Sequence, residues 1–376
     1  VISGNIKTVK LNKYNSFDDK NNFFKINNYK KYFKILEKNH LVLQENSLII
    51  NEHIFIPENF VVKIYPGQEI VLKDNAFIFS RSNWSAIGTK NQPINIKGSD
   101  DNFGGGILIT DNSQISKFKN VNFKNFSGLK KSFFDRESQL YLSTITYLDN
   151  HSDKSFFLEK PINLKNKEIN RGNILHGSIN FNNTSVILED IIIKNIDSED
   201  AINIFNSDFY LNNISFVNNS SDAIDFDFSV GEIKNILFER IGNDAIDFSG
   251  SNALVSHIYF DNVGDKLISV GENSLVEINN ISGKESYLGI ASKDGSKVKV
   301  NKVKFENVKI PFAAYNKKME YDFPILNVLY EGDKKFVNSI KDETSILRLN
   351  GKNFGKVIND VYSLVYRKNY DLIFKN

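Results

Sequence analysis

Two stretches of the chain, 222–227 (Asp-Ala-Ile-Asp-Phe-Asp) and 244–249 (Asp-Ala-Ile-Asp-Phe-Ser), are near-copies that begin 22 residues apart. An apolar column with the same spacing extends in both directions: Ile202, Ile224, Ile246, Ile268, Ile290 and Phe312. A second apolar column keeps spacings of 22 or 23 residues: Ile191, Ile214, Ile236, Ile258, Ile281 and Val303. Two columns in step predict an internal structural repeat over about residues 186–316.

Within each repeat, apolar residues alternate with polar ones, and Asn, Gly, Asp and Ser separate the apolar segments. Period-two alternation indicates strands, and those residue types favour tight turns. Helical solenoids need longer repeats with a 3.6-residue period, and leucine-rich repeats need a Leu and Asn framework that the chain lacks. The sequence therefore predicts an all-β fold, a single-stranded right-handed parallel β-helix (solenoid) with about 22 residues per coil.

Less regular apolar runs extend the pattern towards the N-terminus, so we expect the β-helix to occupy residues 41–316. Residues 1–40 are predicted to form an N-terminal cap, because an open end would expose strand edges. Residues 127–180 interrupt the pattern and predict a lateral insertion over the groove, or alternatively a less regular pair of coils. Residues 317–376 are predicted to form a C-terminal cap or a small β-unit.

Composition excludes several classes of function. The chain has 47 Lys and Arg against 45 Asp and Glu, a balance that argues against a dedicated nucleic-acid binder. Without cysteine there is no disulfide, thiolate metal site or Cys nucleophile. No apolar run is long enough to predict a membrane span. The start at Val1 lacks both Met and a signal-peptide pattern, so we expect a mature or trimmed fragment. A missing fused domain is an alternative that the sequence leaves open.

The passage 86–96, with Gly88-Thr89 and Pro93-Ile94, resembles right-handed β-helix proteins of the pectate-lyase superfamily. Within that superfamily the chain is most similar to the β-helix modules found with spore-coat-protein-H-like kinases in bacterial surface-polysaccharide contexts. The matching segments are 221–225, 243–247 and 264–274, and the resemblance covers roughly residues 41–316. It implies the β-helix fold, a secreted or cell-envelope location and an extracellular polysaccharide as partner, but no particular reaction.

Acidic residues follow two further columns at the same spacing. The first contains Asp200, Asp222, Asp244 and Lys266; the second contains Asn203, Asp225, Asp247 and Ser269, with Asp227 adjacent. Stacked strands lie about 4.8 Å apart, so like charges become neighbours that repel unless they are protonated or share a cation. We expect this ladder to be solvent-exposed. Ca²⁺ suits such a cluster, and its predicted ligands are Asp200, Asp222, Asp225, Asp227, Asp244 and Asp247.

The same carboxyls fit a glycoside hydrolase, in which a separation of about 5 Å is typical of retaining enzymes and a wider one of inverting enzymes. The candidate pairs are Asp225 with Asp247 and Asp222 with Asp244. Polygalacturonase-like β-helix hydrolases place Asp on consecutive coils in a comparable way. They also carry Gly-His-Gly and Arg-Ile-Lys motifs, which this chain lacks.

A polysaccharide lyase would instead need a base and a cation to neutralise the uronate. Candidates are Lys266, Arg240, His257, Arg171, His176 and Arg136. Combining both chemistries, the predicted catalytic residues are Asp222, Asp225, Asp244, Asp247, Lys266 and Arg240.

Other residues have a structural interpretation or a conditional one. His257 occupies a polar column with Asp190, Asn213, Asn235 and Asn280, which predicts a structural ladder at a turn. If exposed, the following aromatics would form sugar-stacking platforms: Trp84, Tyr141, Tyr147, Tyr210 and Tyr259.

The sequence thus predicts a protein that binds an extracellular polysaccharide along a lateral groove, with cleavage left open as a second step. The alternative is a non-catalytic structural or adhesive surface module with a calcium-stabilised Asp ladder.

Overall fold

The computed structural model describes residues 28–129, 176–331 and 336–366. They confirm the predicted parallel β-helix, with about 12 turns and about 22 residues between stacked coils. Ile224 pairs with Ile246 and Ile236 with Ile258, so residues one repeat apart are vertical neighbours. The two apolar columns recognised in the sequence are therefore stacks inside the solenoid.

Short strands make the N-terminal coils. They are β1 (Phe33–Leu36), β2 (His40–Leu43), β3 (Ser47–Ile50), β4 (Ile54–Ile56), β5 (Val61–Ile64), β6 (Glu69–Leu72), β7 (Phe77–Ser80), β8 (Asn83–Ile87) and β9 (Ile94–Gly98). Two 3-10 helices, Asn28–Lys31 and Glu37–Asn39, flank β1. β1 is antiparallel to β2, whereas β2 pairs in parallel with β5 of the next coil. This antiparallel strand covers part of the N-terminal end of the core.

Longer strands that continue around corners form most of the central coils. They are β10 (Gly106–Phe126), β11 (Gly177–Ile196), β12 (Asp200–Phe205), β13 (Asp208–Asn219), β14 (Asp222–Asp227), β15 (Val230–Ile241), β16 (Ile246–Ser249), β17 (Asn252–Gly271), β18 (Leu275–Lys293) and β19 (Lys297–Tyr315). β10 pairs directly with β11, Ile107 with Ile179. β10 and β11 therefore belong to adjacent coils. Most of the predicted insertion, residues 130–175, lies outside the described residues.

The C-terminal elements are β20 (Ile325–Leu329), β21 (Ile340–Lys341), β22 (Ile346–Leu349), β23 (Lys352–Asn353), β24 (Lys356–Val357) and the helix α1 (Val361–Tyr366). Parallel pairing continues past residue 316, because β20 pairs with β19 and β22 with β20. α1 packs on the outside of the last coils, where its Leu364 joins an apolar cluster with Leu288 and Ala313. In the described part of the chain no helix is both long and apolar enough to span a membrane.

Each coil presents three outer faces. Sheet 1 is the stack of β12, β14 and β16. Sheet 2 is the stack of segments 208–212, 230–234 and 252–256, and sheet 3 is the stack of 214–217, 236–239 and 258–261. Inside, Phe238 stacks between Phe216 and Phe260, with ring centroids 4.9 and 5.2 Å apart. This apolar interior fixes the register of all three sheets.

The bend between sheets 2 and 3 is made by residues in the left-handed backbone region. Their φ angles lie between 53° and 56° at Asp190, Asn213, Asn235, His257 and Asn280. Asn and Asp adopt this conformation more readily than most residues. The polar column that includes His257 therefore marks a corner of the coil.

Candidate functional site

Six aspartates lie on the outer side of sheet 1 across three successive coils, and we name this surface the acidic face. Its members are Asp200, Asp222, Asp225, Asp227, Asp244 and Asp247. Asp200 is the ladder partner of Asp222, and Asp225 is the partner of Asp247. The stacking of these columns is as the repeat predicts.

Two members of the acidic face also hold the coil together. Asp222 Oδ1 accepts hydrogen bonds from the backbone N–H of Asp244 at 2.8 Å and from Asn243 Nδ2 at 2.7 Å. Asp244 Oδ1 accepts the backbone N–H of Lys266 at 3.0 Å. Asp222 and Asp244 thus each satisfy a backbone donor of the following coil, which is a structural reason for Asp at these two positions.

A buried ion-pair network closes the first column. Lys266 is 3% exposed, and its Nζ lies 2.6 Å from Asp265 Oδ2 and 3.2 Å from Asp244 Oδ1. Burial acts to lower the pKa of Lys266, but Asp244 together with Tyr315, Tyr366 and Asp265 outweighs this effect, so the pKa is raised well above its ordinary value. The ring of Tyr366 in α1 lies 5.1 Å from the same Nζ. Charge compensation and α1 together bound the acidic face at its C-terminal end.

A second lysine reaches the acidic face from two coils further along. Lys293 is 6% exposed, and its Nζ lies 3.8 Å from Asp247 Oδ1. Its side chain passes over Gly271, where an added Cβ would lie 3.3 Å from Lys293 Cε. Sequence reasoning missed Lys293, and the only signal for it was the glycine in an outward column.

The acidic face is more buried than the sequence suggests. Asp200 is 2% exposed and Asp244 4% exposed, so the expectation of a solvent-exposed ladder was wrong for these two residues. Strand spacing fixes which carboxyls are neighbours but says nothing about what packs above them. Their repulsion is consequently less screened than that of surface charges.

Burial changes the protonation of several carboxyls. It raises the pKa of Asp222 to about 9, and the nearby Asp244 and Asp200 add to this effect. Burial, then the charge of Asp227, raises the pKa of Asp225 well above its ordinary value. Burial also raises the pKa of Asp247, but Lys293 opposes this effect. A raised pKa favours the neutral acid, so the acidic face contains proton donors at neutral pH.

Several polar atoms of this surface are buried without a hydrogen-bond partner among the residues that the structure describes: Asp200 Oδ2, Asp225 Oδ1, Asp247 Oδ1 and Ser269 Oγ. A buried polar atom left unpaired costs about 1–3 kcal/mol, so a cluster of them needs an explanation. The arrangement offers acceptors and donors to a ligand that carries several hydroxyl groups.

The predicted calcium ligands have the right chemistry, since Ca²⁺ prefers carboxylate oxygens. Within the described ranges, however, no three acidic or histidine side chains converge as a metal-binding group. Lys266 and Lys293 already provide positive charge beside Asp244 and Asp247.

The other predicted bases lie elsewhere. Arg240 is at a left-handed corner after sheet 3, with φ of 55°, and its guanidinium contacts Glu239 and Asn218. The structure thus brings together Asp222, Asp225, Asp244, Asp247 and Lys266, and directs Arg240 to other partners. His176 lies near the acidic face, where its charge opposes the raised pKa of Asp200. Arg136 and Arg171 lie outside the described residues.

Three of the five aromatic candidates lie in the described residues, and all three lie away from the acidic face. Trp84 is fully buried, and its Nε1 donates to Ser80 Oγ at 3.1 Å, so it belongs to the core. Tyr259 is 41% exposed but lies on sheet 3, and Tyr210 lies on sheet 2. Tyr141 and Tyr147 lie outside the described residues.

No family model matches this chain, and no curated protein matches its sequence. Among solved structures, the crystal structure of the periplasmic alginate epimerase AlgG is similar to it with a TM-score of 0.33 and 10% sequence identity. The match covers 88% of this chain and 78% of that chain. The β-helix assignment itself rests on the strand register of this molecule.

Proposed function

We propose that the acidic face binds an extracellular polysaccharide and hydrolyses its glycosidic bonds, in a secreted or cell-envelope protein. The observation behind this proposal is a set of buried carboxyl oxygens, from Asp200, Asp225 and Asp247, that accept no hydrogen bond from the described residues. Titratable groups whose pKa is shifted by burial and by like-charged neighbours are typical of functional sites.

A polysaccharide fits this surface for two reasons. Stacked coils give an extended outer sheet, along which a linear polymer makes repeated contacts. Sugar hydroxyls both donate and accept, so they pair with neutral carboxylic acids as well as with carboxylates. The resemblance to pectate-lyase-like β-helices, including modules from surface-polysaccharide contexts, supports the same class of ligand, although a fold alone does not assign an activity.

For hydrolysis, the environments of two neighbouring aspartates suggest distinct roles. Asp225 is surrounded by other carboxyls and favours the protonated form, which suits the general acid. Asp247 lies 3.8 Å from Lys293 Nζ, whose charge opposes the effect of burial on its pKa. It is therefore the more readily ionised of the two carboxyls, which suits the nucleophile. Adjacent strands lie about 4.8 Å apart, close to the carboxyl separation of about 5 Å in retaining enzymes.

In this scheme the Asp225 carboxyl gives its proton to the glycosidic oxygen while Asp247 bonds to the anomeric carbon and the leaving sugar departs. Water then attacks the same carbon, transferring a proton back to Asp225 and releasing Asp247. The substrate keeps its anomeric configuration.

The test is binding and product release on a panel of neutral and uronate polysaccharides. We expect Asp225→Asn and Asp247→Asn each to lower the rate of reducing-end release by at least about 100-fold while retaining binding. The matched control is Asp261→Asn, which changes a carboxylate paired with Lys284 on sheet 3. Unsaturated products would indicate a lyase instead. If no member of the panel binds, the proposal is refuted.

The second candidate is a structural or adhesive module in which calcium stabilises the ladder. It is favoured by the same unpartnered oxygens, which a cation would satisfy. Calcium at a free concentration of 100 times its Kd would stabilise the folded state by about 2.7 kcal/mol. A melting temperature that rises with calcium and falls with chelator, in a protein without activity, would support this candidate over hydrolysis.

A further inference from the structure

Phe228 has a left-handed backbone conformation that suits the residues at the equivalent corners of neighbouring coils but does not suit a phenylalanine. It follows β14 at a corner with φ of 50°. The equivalent residues one coil before and after are Asn206, with φ of 45°, and Gly250, with φ of 63°. Asn and Gly adopt this left-handed conformation readily, whereas a bulky residue there is strained. A phenylalanine at this corner thus makes the fold less stable than an Asn or Gly at the same position would.

Burial does not offset this strain, because the Phe228 side chain is 56% exposed. The ring is nevertheless held in place. It contacts Phe205 edge-to-face, with centroids 5.9 Å apart and an interplanar angle of 83°. It also lies over Gly250, where an added Cβ would be 2.6 Å from Phe228 Cδ1. An ordered, strained and exposed aromatic ring is an outlier of the kind found at binding sites.

The ring lies where the acidic face ends. Phe228 directly follows Asp227, and Phe205 is the ladder partner of Asp227 on the preceding coil. Beyond the corner Phe228 lines a groove of about 410 Å³ whose other walls include Asn183, Asn206 and Ser207. The ring therefore separates a carboxyl-rich surface from a groove lined with amide and hydroxyl groups.

An aromatic ring beside a polar groove matches the face and the edge of a pyranose ring. One side of such a sugar presents C–H groups that pack on an aromatic face, and its edge presents hydroxyls that pair with amides and hydroxyls. Asp208 also lines the groove, and Asp227 precedes the ring. A carboxylated sugar would meet like charge here, so the fitting ligand is neutral.

We propose that Phe228, supported by Phe205, is a positioning residue that stacks on a neutral pyranose of the polysaccharide and sets the register of the polymer over the acidic face. This inference rests on the proposed function. It adds a subsite that determines which sugar the protein accepts.

The test compares three variants on the neutral polysaccharides of the panel. Phe228→Asn copies the residue of the preceding coil, and we expect it to raise or preserve the urea midpoint while lowering affinity about tenfold. Phe228→Tyr retains the ring and should keep affinity within about twofold. The control, Leu254→Asn, removes an apolar side chain that is 55% exposed on sheet 2, and should leave affinity unchanged.

The outcomes separate the two proposals. Wild-type protein that binds no glycan refutes both. Wild-type protein that binds a neutral polysaccharide while Phe228→Asn binds it equally well refutes the stacking subsite alone. A Phe228→Asn variant that loses stability together with affinity shows that the ring is structural, and this result also overturns the subsite.

Discussion

Replacing Asp222 by Asn isolates the protonation of the acidic face from its hydrogen bonds. Both contacts of Asp222, from the Asp244 N–H and from Asn243 Nδ2, are accepted by Oδ1. An Asn side chain placed with its oxygen at that position accepts both. The substitution therefore removes a titrating group and keeps the local structure.

The sign of the pH effect follows from the raised pKa. The pKa of the Asp222 carboxyl is 3.8, its ordinary value, in the unfolded chain and is raised to about 9 in the folded protein. Between these values the folded state holds a proton that the unfolded chain has released, so stability falls as pH rises. The contribution of Asp222 is complete below about pH 4 and is lost as pH approaches 9.

The slope for one such proton is about 1.4 kcal/mol per pH unit, which gives about 4 kcal/mol between pH 5 and pH 8. Because Asp222 is partly exposed, screening by water reduces this figure. From pH 5 to pH 8 the wild type should lose this stability and Asp222→Asn should not. We therefore expect the free energy of unfolding of Asp222→Asn, relative to the wild type, to rise by about 2–3 kcal/mol over this range.

Urea unfolding at four pH values between 5 and 8 measures this difference, with Asp261→Asn on sheet 3 as the control. A constant gap between Asp222→Asn and the wild type would show that Asp222 is ionised in the folded state. The argument for neutral carboxyls would then fail. A gap that calcium abolishes would assign the compensating charge to a metal ion.

Three further substitutions probe the ion pairs and the core. Lys266→Met leaves the buried Asp244 without its ammonium partner, and we expect a loss of about 3–5 kcal/mol in urea unfolding. Lys293→Met removes the cation that lies 3.8 Å from Asp247 and should raise the pKa of that carboxyl, which NMR titration of the side chain would detect. Phe238→Ala opens a cavity in the aromatic stack and should cost about 3–5 kcal/mol in the same unfolding assay.

The coil and the carboxyl stacks were predictable because a solenoid converts sequence spacing directly into vertical distance. Once the period was recognised, the pairing of Asp225 with Asp247 followed without knowledge of any other contact. The corner column followed too, since Asn and Asp recur where the backbone is left-handed.

The 22-residue spacing did not predict contacts between residues that are not vertical neighbours, nor the conformation of a single corner residue. α1 covers the end of sheet 1 although it is more than a hundred residues beyond Asp244 in the chain. Lys293 reaches Asp247 from two coils away by the length of its own side chain. Phe228 appeared in the sequence as one more apolar residue, because its backbone angle and exposure are not encoded in the repeat.

The limits of the acidic face argue for a site over a uniform structural ladder. Its outward columns do not continue as carboxyls, but become Leu288, Ala291 and Tyr315 beneath α1. Within the described ranges, lysines compensate charge only at that boundary, and Asp200 and Asp225 keep buried oxygens without a hydrogen bond. A ladder needed only for rigidity gains nothing by ending after three coils, whereas a bounded surface suits a short segment of a polymer. The structural alternative therefore has to explain both the boundary and the strained aromatic ring beside it.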